Sequence, residues 1–259
     1  MRSLATRALG GSLLIGSLLV MSPVGGPTAV IAQPHLAVSP TELLDGVTGD
    51  QVIIVTTQHS GDTHGTLRAL EREPDGTWSV VVPTVHARVG RGGVVPGQTR
   101  RQGTGTTPSG TYRLLWSFGT KPDPGTRMRY LRLDDSDIWP YDPRDPQTYN
   151  VFQSQASERN RTWRRAWAEP LAQYTRSYRH VLVLDYNLPE GPITRGADGI
   201  RRTDTPARRH AGGGIFLHAT DGTSTAGCIA VRDGVMVELL QWLDPAERPV
   251  IIIRTLTSG

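Results

Sequence analysis

A single cysteine, Cys228, stands among 259 residues, so no internal disulfide can form. Lysine is equally scarce: Lys121 is the only one, and the other basic residues are arginines scattered in short pairs such as Arg164-Arg165, Arg201-Arg202 and Arg208-Arg209. A basic stripe interleaved with aromatics is missing, which argues against a nucleic-acid partner. His59, His64, His86, His180 and His210 form no pair with zinc-ligand spacing and a third partner, so neither a metal nor another cofactor is expected. After residue 32 no apolar run approaches the roughly 20 residues of a spanning helix. There is no internal repeat and no heptad run, which sets aside solenoids and coiled coils.

What is present starts with a distinctive leader. Within residues 1–32 the only charges are Arg2 and Arg7, and Leu9 to Met21 is nearly all Leu, Gly, Ser, Ile and Val. Pro23, Gly25, Gly26 and Pro27 then break any helix, and Val30-Ile31-Ala32 offers small residues for cleavage. A charged start, an apolar stretch and a small-residue exit describe a secretory signal peptide, so export without a permanent membrane span is expected. Loss of Arg2 and Arg7 would take the formal charge from +4 to 4 − 2 = +2. Exported proteins usually oxidise their cysteines in pairs, so a lone thiol is a liability unless buried or useful.

Residues 33–50 are polar and turn-rich and read as a linker, followed by one domain over 51–255. Gln51 to Thr57 is β-branched, and Thr66 to Glu71 and Trp78 to Val82 flank a Pro74-Asp75-Gly76 turn signal, which predicts a hairpin. Val85 to Val89, Thr111 to Trp116, Arg129 to Leu133, Val181 to Asp185, Gly214 to Leu217 and Val250 to Ile253 are further strand candidates. Two helices are expected. Ser157 to Ala168 has Trp163, Ala166 and Trp167 on one face before Pro170, and Asp233 caps a second helix running to Leu243. The fold class is mostly β, with two or three short helices.

Chemistry is concentrated near the C-terminal end. An apolar strand, Gly214 to Leu217, delivers His218, and ten residues later comes Thr225-Ala226-Gly227-Cys228-Ile229. A strand, a tight loop through Asp221-Gly222 and a returning strand would set thiol and imidazole side by side. That pairing is what cysteine nucleophilic catalysis requires, because the thiolate is the reactive form. His218 would then hold the proton in an ion pair, keeping thiolate available below pH 7. Gly227 frees the backbone for close approach, and neighbouring N–H groups are candidates for holding an oxyanion.

Leu217-His218 with Thr225-Ala226-Gly227-Cys228-Ile229 resembles the signature of the L,D-transpeptidase catalytic-domain family: a His, a variable loop, then Ser/Thr-His-Gly-Cys and an aliphatic residue. Gly103-Thr104-Gly105-Thr106-Thr107-Pro108-Ser109-Gly110-Thr111-Tyr112 is similar to that family's Gly-rich approach to a Thr-Pro-x-Gly-x-aromatic turn, and the likeness spans roughly residues 50 to 254. Two positions depart from it, with Ala226 and Ala230 where a His and an Arg are common. The resemblance implies a β-sandwich or barrel-like catalytic fold in a bacterial cell-wall or periplasmic protein. Peptidoglycan stem peptides would be its partners, and carbapenem-type inhibitors would react with it. Cys228 would attack the bond between the diamino acid and the terminal D-alanine of a tetrapeptide stem, with His218 as base. The thioester would pass to a neighbouring side-chain amine; hydrolysis of the same thioester, or a non-catalytic wall-binding relative, are the alternatives. The resemblance also gives Ala219 as the carbonyl that orients His218. Tyr149, Asn150 and Thr225 are candidates for the substrate groove.

Overall fold

The structure is a computed structural model that describes residues 43–154 and 160–257. The segments expected as a leader, 1–32, and for the most part as a linker, 33–50, lie outside the described residues. Strands are β1 (Gln51–Thr57), β2 (His64–Arg72), β3 (Trp78–Arg88), β4 (Val94–Pro96), β5 (Thr107–Gly119), β6 (Tyr130–Arg132), β7 (Ile138–Pro140), β8 (Ala168–Pro170), β9 (Val181–Leu184), β10 (Ile193–Arg195), β11 (Arg201–Thr203), β12 (Phe216–Ala219), β13 (Ile229–Val231) and β14 (Val250–Thr255). The helix α1 (Asp233–Trp242) and three 3-10 turns are the helical elements that lie wholly within the described residues, and Leu43-Leu44 is helical as well.

A 10-stranded sheet runs β14-β1-β2-β3-β13-β12-β9-β5-β4, with β6 beside β5. Because β14 also pairs with β5, the sheet closes on itself like a barrel. The expected hairpin is β2–β3, antiparallel with a bulge, and it turns through Pro74-Asp75-Gly76. Val85 to Val89 continues β3 itself.

Alternation decides which residues meet inside. Successive side chains of a strand face opposite ways. Ile53 and Val55 of β1, Ile251 and Ile253 of β14, Leu217 and Ala219 of β12, and Ile229 and Val231 of β13 all join one core. Met236, Leu239 and Leu240 of α1 belong to the same core. The intervening residues Val52, Ile54, Val250 and Ile252 pack with Leu44 and Leu70 on the opposite face. On β12 the odd one out is Phe216, which joins an outer aromatic cluster with Phe118, Trp139, Phe152 and Tyr178. Cys228 packs in that cluster too. The wall formed by β12 and β13 therefore shows aliphatic side chains inward and its chemistry outward.

Two expectations are corrected. The segment expected as a helix over 157–168 holds only a 3-10 turn, Arg165–Trp167, followed by β8; residues 155–159 lie outside the described set. Asp142 accepts from both the N–H and the guanidinium of Arg164, and Arg164 is extended at φ −72°, ψ 136°. Trp163 is drawn away to pack on Ile200. The second helix forms, but Asp233 is not its cap. Arg232 holds that position without a side-chain cap bond, and the Asp233 carboxylate is taken by Arg179 (2.8 Å) and His180 (2.9 Å).

Candidate active site

The strand that carries His218, β12, and the strand that follows Cys228, β13, run parallel, not antiparallel as the spacing suggested. Leu217 lies opposite Ile229, His218 opposite Ala230 and Ala219 opposite Val231. The loop after His218 thus returns across the barrel end before β13 begins, and Cys228 sits just ahead of its first residue. Residues in parallel register face the same side, so His218, Ala230 and, two residues earlier, Cys228 share the outward face. Both functional side chains line one cleft of about 530 Å³, with Arg100, Glu169, Tyr178 and Ala226 among its walls.

His218 is buried, and its Nδ1 lies 2.8 Å from the carbonyl oxygen of Ala219. A carbonyl only accepts, so Nδ1 carries the hydrogen and Nε2 keeps the lone pair of a base. Burial lowers the imidazole pKa, which favours the neutral ring. The Tyr178 ring stands edge-on to it, with centroids 5.4 Å apart.

Cys228 is also buried and has no disulfide partner. Its thiol donates to the Gly214 carbonyl at 3.3 Å and accepts from the Phe216 N–H at 3.4 Å. Burial, reinforced by the nearby Glu169 carboxyl, pushes the thiol up to about 12. Thiol and imidazole make no hydrogen bond to each other among the described residues. The resting pair is neutral, unlike the ion pair that spacing alone suggested.

The turn before the nucleophile is held from inside. Thr225 Oγ1 donates to the Cys228 carbonyl at 2.6 Å and accepts from the Gly227 N–H at 3.1 Å. That N–H is therefore occupied and is not a ready oxyanion donor, whereas the N–H of Cys228 has no partner among the described residues. Gly227 has φ +138°, and a Cβ there would lie 2.7 Å from Arg100 Nη2 and 2.8 Å from the Thr106 carbonyl. Its smallness makes room for the protein's own packing rather than for substrate. Arg100 is only 5% exposed and donates to the Thr106 and Ala211 carbonyls at 2.7 and 2.8 Å.

Tyr149 and Asn150, the other candidates for the substrate groove, do not line the Cys228 cleft; Asn150 lines a separate cavity of about 730 Å³ with Trp116, Trp139 and Phe152. Tyr149 is wholly buried; its hydroxyl donates to Gln102 and accepts from the Gly212 N–H at 2.9 Å. Asn150 adopts φ +59° and its Oδ1 accepts from Trp139 Nε1 at 2.7 Å and the Gly214 N–H at 2.9 Å. Both brace the Gly212–Gly214 backbone whose carbonyl receives the thiol. They act on its position, not by lining the Cys228 cleft. Thr225 does line it. Sequence reasoning missed Arg100, Glu169 and Tyr178, which stand 40 to 128 positions from the residue they approach and carry no local motif. Among the described residues no cluster of His, Cys, Asp and Glu is suited to a metal ion.

No curated protein matches the chain. The family model of the L,D-transpeptidase catalytic domain (YkuD) matches residues 75–252, which takes in the β2–β3 turn, the Gly-rich block, His218 and Cys228. With its closed, mostly β sheet and that match over more than half its length, this chain belongs to the L,D-transpeptidase catalytic domain family.

Proposed function

We propose that the chain is a peptidoglycan L,D-transpeptidase that works through a thioester on Cys228. The observation that supports this most is the pairing of a buried free thiol with an imidazole whose Nδ1 is committed to Ala219, both on the wall of one cleft. A donor stem entering the cleft displaces the thiol from the Gly214 carbonyl toward His218 Nε2. His218 takes the proton as sulfur attacks the carbonyl between the diamino acid and the terminal D-alanine. The N–H of Cys228, free of a partner among the described residues, is the donor we assign to the developing oxyanion. His218 returns its proton to the leaving amine, and D-alanine departs.

An acceptor amine then resolves the thioester and forms the cross-link. Water in place of the amine would make the same chain an L,D-carboxypeptidase. The leader of residues 1–32 fits this reading, because the substrate lies outside the cytoplasm, in the wall or periplasmic space.

Incubation of the purified protein with a tetrapeptide stem, followed by intact-mass spectrometry, tests the assignment. The expected product is one acyl adduct on Cys228 with release of D-alanine, absent from folded Cys228→Ala. An unmodified wild type would support a wall-binding relative instead. Cross-linked dimer against free tripeptide then distinguishes transfer from hydrolysis.

A further inference from the structure

Glu169 lines the cleft that holds Cys228 and His218. Strand β8 carries it, set in place by pairing opposite Trp139 of β7. Its carboxyl accepts from the Tyr178 hydroxyl at 2.7 Å, and Tyr178 is the ring that stands against His218. Burial raises its pKa to about 6, the Tyr178 bond being the only opposing influence. No arginine, lysine or histidine among the described residues pairs with it. The titratable groups facing it are the Tyr141, Tyr174 and Tyr178 hydroxyls and the Cys228 thiol, all neutral near pH 7. Of the cationic groups in the cleft wall, Arg100 is bound to carbonyls and Arg91 lies over Gly105.

Glu169 is half-buried, and a carboxyl drawn out of water costs free energy unless a cation or hydrogen bonds compensate it. Here the protein supplies one hydroxyl and no cation, and the open side of the carboxyl meets the reaction cleft. We propose that Glu169 receives the acceptor in the transfer step. Its carboxylate binds the side-chain ammonium of the incoming diamino acid and takes one proton from it. The neutral amine attacks the thioester carbonyl, forming the C–N bond. Its second proton passes to His218 Nε2, the C–S bond breaks, and the departing thiolate recovers that proton from His218. Glu169 releases its own proton to solvent. The cycle is balanced with no further reactant. This inference rests on the thioester reading above and names the group that favours amine over water.

The test separates the two half-reactions in full-length protein. A tetrapeptide stem loads Cys228, and a tripeptide stem with a free side-chain amine is then added while intact mass is followed. In Glu169→Gln the acyl-enzyme is expected to accumulate, with transfer slowed about 100-fold. Wild-type transfer should rise with pH through about 6, an inflection missing from Glu169→Gln, while Glu169→Asp recovers part of the rate. Transfer at the wild-type rate in a folded Glu169→Gln overturns the proposal. So does a loss of acylation in proportion to the loss of transfer. If the wild type forms no acyl-enzyme at all, the thioester reading fails and this inference falls with it.

Discussion

The hydroxyl of Thr225 holds the carbonyl of Cys228 at 2.6 Å, so the nucleophile is fixed by its own turn rather than by its base. The same oxygen receives the Gly227 N–H. Thr225→Val keeps the shape and removes both bonds. It is expected to cost about 1–2 kcal/mol of stability and to slow acylation about tenfold, with Thr225→Ser restoring most of both. Thermal unfolding and the rate of adduct formation measure the two; equal rates in Val and Ser variants would show that the bonds do not matter.

Reactivity of the free protein should follow the neutral resting pair. With the thiol pushed up to about 12 and the imidazole held neutral, alkylation of Cys228 by iodoacetamide is expected to be slow at pH 7 and to climb only in the alkaline range. His218→Ala should share that profile without ligand, yet lose acylation by a stem peptide. A plateau of alkylation below pH 7 in the wild type would restore the ion pair that sequence spacing suggested.

Glu169 and His218 make opposite contributions to pH-dependent stability. The Glu169 carboxyl rises from 4.5 to about 6 on folding, so the folded state binds more protons between those values. Its contribution is intact below pH 4.5 and is lost as pH rises through about 6. The loss is at most about 2 kcal/mol, from about 1.4 kcal/mol per unit. Glu169→Gln is therefore expected to raise Tm at pH 8 and to leave it unchanged at pH 4.5. His218 has a lowered pKa, so the unfolded state binds the proton first and stability falls as pH drops below 6.5. His218→Gln should flatten that acid limb. Because the two effects oppose each other, the variants decide: Tm–pH profiles of Glu169→Gln and His218→Gln that both run parallel to the wild type from pH 4.5 to 8 would contradict both assignments.

Gly227→Ala should be severe. The backbone is at φ +138°, and the new methyl would meet the Thr106 carbonyl, which cannot swing aside. A stability loss of about 2–3 kcal/mol with little remaining acylation is expected, from the strain and the overpacking together. Arg100→Ala in the same background should not rescue it, because the clash with the Thr106 carbonyl remains and the Arg100 bonds are lost as well.

Arg100→Leu removes a buried cation that ties the Thr106 and Ala211 carbonyls together. The Ala211 carbonyl keeps the Tyr186 hydroxyl at 3.0 Å while the Thr106 carbonyl loses its Arg100 donor, so about 1–3 kcal/mol of stability should be lost. Arg100→Lys should recover little, since an ammonium lacks the planar fork that reaches both carbonyls. Urea unfolding of the two variants decides it.

Strands were legible because alternation writes itself into sequence: Val52-Ile53-Ile54-Val55 announces β1 whatever it pairs with. The sense of pairing was not. His218 and Cys228 are near enough in sequence for a hairpin, and only the three-dimensional path makes β12 and β13 parallel. The helix expected over 157–168 was misread because Trp163, Ala166 and Trp167 have helical spacing. A distant residue, Asp142, claims the Arg164 backbone instead. In the candidate site, the local signature exposed Cys228, His218, Gly227 and Thr225. Glu169 and Tyr178 come from a stretch with no motif, and their place depends on tertiary packing. Tyr149 and Asn150 stood out as a pair in sequence, and their bonds to the Gly212 and Gly214 backbone depend on tertiary packing that the sequence does not write.

The closure of the sheet through β14 also sets an order of events. Strand β14 pairs in parallel with β1, almost 200 residues away, and antiparallel with β5, about 140 residues away. Until Val250 to Thr255 has been synthesised, β1 and β5 each carry an open edge, and open edges invite pairing with other chains. Contacts of such long sequence separation form slowly. A nascent chain of this sequence thus spends its vulnerable interval waiting for its last strand, and a stop codon ahead of Val250 would prolong that interval indefinitely. Aggregation, rather than a soluble but inactive domain, is the fate such a truncation points to.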